Sequence, residues 1–416
     1  MTAAPPLLEA GPGGVEKDLA AAHALVSAFD TDQGGPGAAD PHTEFAALRR
    51  TGAVHRSTLE RVFTGEDLPG TTGTPVWHVV SFAAADRVLR DEHTFSSSAY
   101  ADSMGQVVGR SFLEMDGGEH RAWRTVLNRG FHRQAAAGWQ TRLRADVQSR
   151  LTAMAGRGGG DLVGELAFPV ALTTIAGIIG FPPGTRIGTL YTWAVGLLDD
   201  TDGKIATAVT EWLGTPSAWS ADSVVGRLLR CEDPAIGSHP AALLPAVRLL
   251  LSTGTEPPFR ALATLMYAVL HDPTVLEAVR VNASLTPALV QECWRWECPL
   301  TWVLRRCTAD TELCGVRLRA GDSVCVNLAS ANRDESRWAA ADRFDPHRRP
   351  LPHLAVGSGP HLCLGRHLAA LEAEEILAGL LRVAEPTPTR PSGPALDTDG
   401  VSGRGFRSPR RLTLRF

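Results

Sequence analysis

Apolar residues recur at helical spacing through most of the chain. Segments 43–51, 83–91, 118–137 and 139–155 each read as one amphipathic helix, and 167–179 reads as an apolar helix closed off by Pro182 and Pro183. Segment 285–297 is another helix, started by Ser284, Thr286 and Pro287. Short alternating patches at 54–59 and 76–80 read as strands. After Pro299 the period changes, and 303–306, 312–318 and 322–327 read as short strands with Gly315 and Gly321 at turns. Segment 330–362 is irregular and rich in Arg, Asp, Pro and Gly. From 364 to 383 an amphipathic helix returns, with Leu364, Leu368, Leu371, Leu377 and Leu381 on one side. The pattern predicts a mainly α protein with a small β region. The 416 residues read as a single domain over 1–416, with a loose tail over 1–14.

Composition excludes several functions. A net charge of −4 leaves no nucleic-acid footprint. The N-terminus has neither a basic leader nor a long apolar run, and 239–251 is too short to span a bilayer and carries Arg248. These features predict no membrane anchor and a cytoplasmic location. Arginine supplies nearly all the positive charge, since Lys17 and Lys204 are the only lysines. Arginine suits carboxylate recognition, although genomic base composition explains the bias equally well.

The seven cysteines all follow residue 230, with no C-x-x-C pair. Their odd number argues against a disulfide framework. Six read as small buried hydrophobes. Cys363 differs, because Gly357, Gly359 and Gly365 surround it and a long helix follows. Glycines let a backbone approach a flat ligand closely, and helix N–H groups stabilise an anion. A thiolate there has a depressed pKa and makes a metal ligand. Chemistry alone leaves this reading level with a structural cysteine beside a turn.

Several motifs settle the choice together. Gly357 to Gly365, G-S-G-P-H-L-C-L-G, resembles the haem-binding loop of cytochromes P450. Glu292 and Arg295 match that family's E-x-x-R pair. A-N-R-D at 331–334 and F-D-P-H-R at 344–348 match the segment that follows, and H-R-A-W-R at 120–124 matches H-x-x-x-R. The matches keep the family's order over 118–137 and 245–370. The resemblance implies the cytochrome P450 fold, a triangular helical prism, with heme b (iron protoporphyrin IX) as cofactor. It implies Cys363 as the iron ligand and His120, Arg124, Arg305 and His361 as donors to the haem propionates. Arg306 is the competing donor; Arg305 is preferred because it lies five residues before Asp310. Glu292 and Arg295 are expected as a buried structural pair with the Arg348 region. A small-molecule substrate follows, aromatic or carrier-bound among the options, with a ferredoxin and ferredoxin reductase as electron donors.

The chain also departs from the family. Where A-G-x-[DE]-T is usual, it has Thr253-Gly254-Thr255-Glu256-Pro257-Pro258. Glu256 holds the acid position and Pro257 replaces the alcohol. Two prolines leave the carbonyls of Thr253 and Gly254 without helical donors, which predicts a kink or a break. Thr255 is expected to cap a restarted helix, or else to replace the missing alcohol partly. Val356 stands where a Phe is usual, which predicts a less shielded sulfur. The 193–241 stretch predicts a short, irregular lid. By resemblance, 97–110, 190–219, Thr253 and 300–304 face the substrate, and Trp302 either stacks on an aromatic substrate or simply packs.

The expected function is oxidation of a medium-sized organic molecule, a natural-product tailoring step with an atypical oxygen-activation groove. The alternatives are a non-oxygenating cyclase or coupling enzyme, a peroxide-dependent peroxygenase, and a catalytically quiet haem protein that recruits a carrier-bound substrate.

Overall fold

The computed structural model describes residues 40–58, 75–181, 190, 220, 222–236, 240–383 and 395–415. The expected tail over 1–14 and lid residues 193–219 lie outside the described residues.

Local sequence sets the helix ends. Helix α1 (Pro41–Thr51) starts at Asp40, whose carboxylate accepts from the His42 amide, and ends on Gly52. Helix α2 (Phe82–Arg90) follows Ser81. The expected single helix over 118–137 is two. Helix α3 (Gly117–Phe131) stops where His132 turns extended, and the His132 ring accepts from the Ala135 amide at 3.0 Å to start the short turn Arg133–Ala137. Side-chain capping by a histidine overrides the periodicity there. Helices α4 (Gln140–Gly156), α5 (Phe168–Ile179), α6 (Pro240–Thr253), α7 (Glu256–His271), α8 (Thr286–Trp296) and α9 (Arg366–Val383) complete the main helical body. No helix among the described residues is long and apolar enough to cross a membrane.

The main sheet contains β1 (Val54–Ser57), β2 (Val76–Val79), β3 (Phe95–Ser96), β4 (Trp302–Cys307) and β5 (Ser323–Asn327), in the order β1-β2-β5-β4-β3. Only β2 and β5 pair in parallel. Val324, Cys325 and Val326 are all buried, as a central strand covered on both faces requires. The large core joins α3 to α9 through residues such as Leu127, Leu151, Leu172, Leu262 and Leu377. A second core packs α1 and α2 on the sheet through Phe45, Val88, Phe95 and Val326. The cysteine loop lies where the two bodies meet, with α9 leading into one and Leu354 buried in the other.

Candidate functional site

Glycine geometry shapes the cysteine loop. Gly357 and Gly359 adopt φ of +73° and +68°, a region that side chains disfavour. Gly359 also touches α2 so closely that a Cβ would lie 2.5 Å from the Leu89 carbonyl. The Cys363 amide donates to the Val356 carbonyl at 2.8 Å, closing the loop. Helix α9 begins at Arg366 rather than 364, so the amides of Gly365 and Arg366 are free to bond the Cys363 sulfur. Burial pushes the thiol up, while these two amides and the Arg124 and Arg366 guanidinium groups oppose it.

Cys363 lines a cavity of about 290 Å³ bounded by α3, β4, the α6–α7 junction and α9. His120, Arg124, Arg305 and His361 all line it. The rings of His120 and His361 stack, with centroids 3.9 Å apart and planes 16° apart. His361 is 3.2 Å from Asp116 Oδ1. Burial, followed by the neighbouring His361 and Arg124, pushes His120 down to about 3, so its ring is neutral at ordinary pH. Its Nε2 is buried without a partner. Arg124 Nη2 donates to the Leu362 carbonyl at 2.7 Å, and Arg305 Nη1 donates to the Leu304 carbonyl at 2.7 Å. Burial lowers the pKa of both guanidinium groups, and neither forms an ion pair with a carboxylate among the described residues. Arg306 instead pairs with Asp102 on the surface. A half-buried thiol with amide donors, one buried and one half-buried guanidinium group, and an orphaned imidazole nitrogen fit a ligand with a thiophilic metal and carboxylate arms. That is the donor set a haem needs.

The helix over the cavity is broken, as the two prolines require. The Gly254 amide still reaches the Leu250 carbonyl at 2.9 Å, but the Thr255 amide tightens onto Ser252 at 3.2 Å, and the next turn starts with Phe259 onto Thr255 at 3.0 Å. Gly254 is held against α5, where a Cβ would lie 2.3 Å from Ile175 Cγ1. Thr253, Gly254, Pro257 and Pro258 line the cavity.

Thr255 and Glu256 do not line it. Thr255 occupies the N-cap position without capping, and its hydroxyl donates back to the Leu251 carbonyl at 2.7 Å. The reason is chemical. A capping side chain accepts from the second or third helical amide, and both of those residues are prolines here. Glu256 pairs with Arg260 at 3.1 Å, and Arg260 reaches Ser408 Oγ at 3.4 Å and lies over the Phe406 ring. The acid is therefore engaged toward the C-terminal strands. Trp302 also lies off the cavity, packed against the sheet core, whereas Leu300 and Val303 line it. Of segment 97–110, Tyr100 lines it.

Glu292 and Arg295 form the expected structural pair. Arg295 Nε meets Glu292 Oε2 at 2.7 Å, and Arg348 Nε meets Glu292 Oε1 at 2.9 Å. Arg295 further donates to the carbonyls of Asn332, Ala341 and Arg343, pinning the irregular segment that leads to the cysteine loop.

Asp116, bonded to the cavity residue His361, and Glu372 were not anticipated from sequence, whereas Tyr100 belongs to the 97–110 segment expected to face the substrate. Tyr100 is half-buried, bonds Arg305 and accepts from the Leu304 amide at 3.2 Å. Asp116, four residues before His120, orients His361 and accepts from Ser96 Oγ at 2.5 Å. Burial tends to raise its pKa, but the His361 and Ser96 hydrogen bonds outweigh that and lower it. Glu372 lines the cavity from α9. The i,i+4 spacing of Asp116 and His120 was a usable signal; Glu372 carried none that set it apart from the neighbouring Glu374 and Glu375.

The cytochrome P450 family profile matches residues 260–394. Cytochrome P450 monooxygenase PikC of Streptomyces venezuelae is 31% identical over 361 residues, which cover 83% of this chain and 84% of its own length. Erythromycin C-12 hydroxylase of Saccharopolyspora erythraea is 32% identical over 329 residues, covering 73% of this chain and 81% of that protein. P450BioI, solved in complex with an acyl carrier protein ligated to hexadec-9Z-enoic acid, superposes with a TM-score of 0.77 at 26% identity, covering 91% of this chain and 98% of its own.

Proposed function

This chain belongs to the cytochrome P450 family, a haem-thiolate oxidoreductase of organic substrates, and from that premise we propose that it carries out a natural-product tailoring oxidation through an atypical oxygen-activation groove. The observation that carries the reading is the convergence of Cys363, four propionate-type donors and a broken helix junction with Pro257 in the alcohol's place on one cavity. Similarity to PikC and to erythromycin C-12 hydroxylase supports a tailoring role. The acyl carrier protein bound to P450BioI supports a carrier-bound substrate as one option. Cys363 is the iron ligand in this reading, and His120, Arg124, Arg305 and His361 hold the propionates. The cofactor is heme b, since no C-x-x-C-H motif is present for covalent attachment. Electrons come singly from a ferredoxin and its reductase.

Haem held by Cys363, His120, Arg124, Arg305 and His361 would supply dioxygen activation, and a thiolate ligand would favour it. The protein's own residues set the rest. The Gly365 and Arg366 amides hold negative charge on the sulfur. Asp116 fixes the His361 ring, and the stacked His120 is presented neutral, with Nε2 available to donate. Leu249, Leu250, Pro257, Ala261 and Val303 give the cavity a dry apolar wall suited to a medium-sized molecule.

A second reading, hydrogen abstraction with ring closure or coupling, is favoured by one observation. The hydroxyls of Thr253 and Thr255 both donate to helix carbonyls, leaving the junction without a hydroxyl hydrogen to give. The test uses ferredoxin, reductase, NADH and isotopically heavy dioxygen, with erythromycin-type macrolides and carrier-bound acyl chains as probes. Heavy oxygen in the product supports insertion. An unlabelled cyclised, coupled or desaturated product supports the second reading. No spin-state shift and no turnover with any probe counts against both.

A further inference from the structure

Two walls of the cavity are tied together by the C-terminal hairpin. One wall is the helix junction, where Pro257 and Pro258 line the space; the other follows Pro299, where Leu300 and Val303 line it. The hairpin pairs Val401–Ser402 with Ser408–Pro409, antiparallel. Its turn is tight, since Gly403 adopts φ +106° and a Cβ there would lie 2.0 Å from the Phe406 carbonyl oxygen.

The hairpin meets the Leu300 wall backbone to backbone. The Thr301 amide donates to the Gly405 carbonyl at 2.9 Å, and the Arg407 amide donates to the Pro299 carbonyl at 3.1 Å. These bonds flank Leu300 and Phe406, which form an antiparallel bridge. Residues directly opposite in such a bridge put their side chains on one face, and closest where the pair shares no hydrogen bond of its own. Leu300 therefore moves only with Phe406. Arg407 anchors the turn again, with Nε 2.7 Å from Glu297 Oε1 and Nη1 donating to the Gly403 carbonyl at 2.8 Å.

The hairpin meets the junction wall through side chains. Arg260 is 2% exposed, and its guanidinium lies 5.6 Å from the Phe406 ring centroid and 3.4 Å from Ser408 Oγ. Glu256, the residue before Pro257, fixes that guanidinium: Nε and Nη2 both donate to its Oε2 at 3.1 Å. Neither group can leave without stranding the other's charge away from water.

We propose that Glu256 and Arg260 are positioning residues for substrate selection: through Phe406 they hold Leu300 at a fixed separation from Pro257 and Pro258, and so set the width of the cavity. This deepens the cytochrome P450 reading above and rests on it. The motif's acid thereby acts on the shape of the site. Bulky apolar ligands that span the cavity feel that width; a ligand the size of imidazole does not.

The holoenzyme is titrated with imidazole and with clotrimazole, a triarylmethyl imidazole, each followed by the Soret shift of iron ligation. Replacing both charges at once, Glu256→Gln with Arg260→Met, avoids leaving either group buried and unpaired. This double variant should bind imidazole within about twofold of wild type but clotrimazole at least about tenfold more weakly, the discrimination that a methylene-sized change in an apolar pocket commonly gives. Phe406→Leu, which leaves the ion pair whole, should give the same loss. Adding it to the double variant should cost little more, because both changes act on one contact. A clotrimazole-to-imidazole affinity ratio that stays at the wild-type value overturns the proposal, and fully additive losses overturn the route through Phe406. A general loosening of the fold weakens both azoles together, which also counts against it. Should the double variant not fold, an unchanged ratio in Phe406→Leu is decisive against the proposal. The Soret shift that imidazole gives wild type reads the haem site on its own, so failure of the family reading is told apart from failure of this strap.

Discussion

Gly359→Ala separates close backbone approach from backbone strain in the cysteine loop. At φ +68°, an alanine carries a left-handed cost of about 1–2 kcal/mol. Its Cβ would also lie 2.5 Å from the Leu89 carbonyl and 2.8 Å from Arg90 Cα. Both are backbone atoms of α2, so no side-chain rotation relieves the contact. Such overpacking adds about 1–3 kcal/mol and forces the loop and α2 apart. Gly357→Ala is the matched control. Its φ of +73° carries the same strain, but the nearest atom to its Cβ is the His361 carbonyl at 3.7 Å, an ordinary contact. Urea midpoints of the two variants, with haem content per polypeptide, give the comparison. Gly359→Ala should be the less stable by about 1–3 kcal/mol and retain less haem. Equal midpoints would refute the argument that α2 and the cysteine loop are held in backbone contact at this glycine.

Other outcomes follow from the same geometry. Glu292→Ala leaves Arg295 buried without its carboxylate, so it should lower stability by about 3–5 kcal/mol and release the 332–348 segment to protease. Arg305→Leu should weaken haem retention in competition with apomyoglobin, whereas Arg306→Ala, which breaks only a surface pair, should leave retention unchanged. Trp302→Ala should not alter probe-induced spin-state shifts, because that ring lies off the cavity. The acid limb of stability should depend on His78. Burial lowers its pKa from 6.5 to about 4, so the unfolded chain takes up a proton first as pH falls. Stability is then lost between pH 6.5 and about 4, by about 2 kcal/mol at pH 5 for this one group. His78→Asn should flatten that window in urea titrations, and an unchanged slope would contradict it.

The helices, the sheet strands and the cysteine loop were legible because periodicity, glycines and ordered motifs are local signals. Cys363, His120, Arg124, Arg305 and His361 line one cavity, and the helix breaks where Pro257 and Pro258 demand it. What failed did so through side-chain competition. His132 caps a new turn inside an unbroken helical pattern. Thr255 cannot cap, although the prolines responsible stand in the sequence two and three residues later. Glu256 keeps the acid's place in the motif, but Arg260 and Ser408 engage it on another side of the helix. Glu372 was invisible because only the packing of α9 places it on the cavity.

Everything proposed for this site depends on Cys363 ligating haem iron through its thiolate. The reduced, carbon monoxide-bound holoprotein tests this most directly. Thiolate ligation predicts the long-wavelength Soret band that gives the family its name, and its loss in Cys363→Ala. A wild-type carbonyl complex with only the short-wavelength band of a protonated thiol or a different ligand would contradict it.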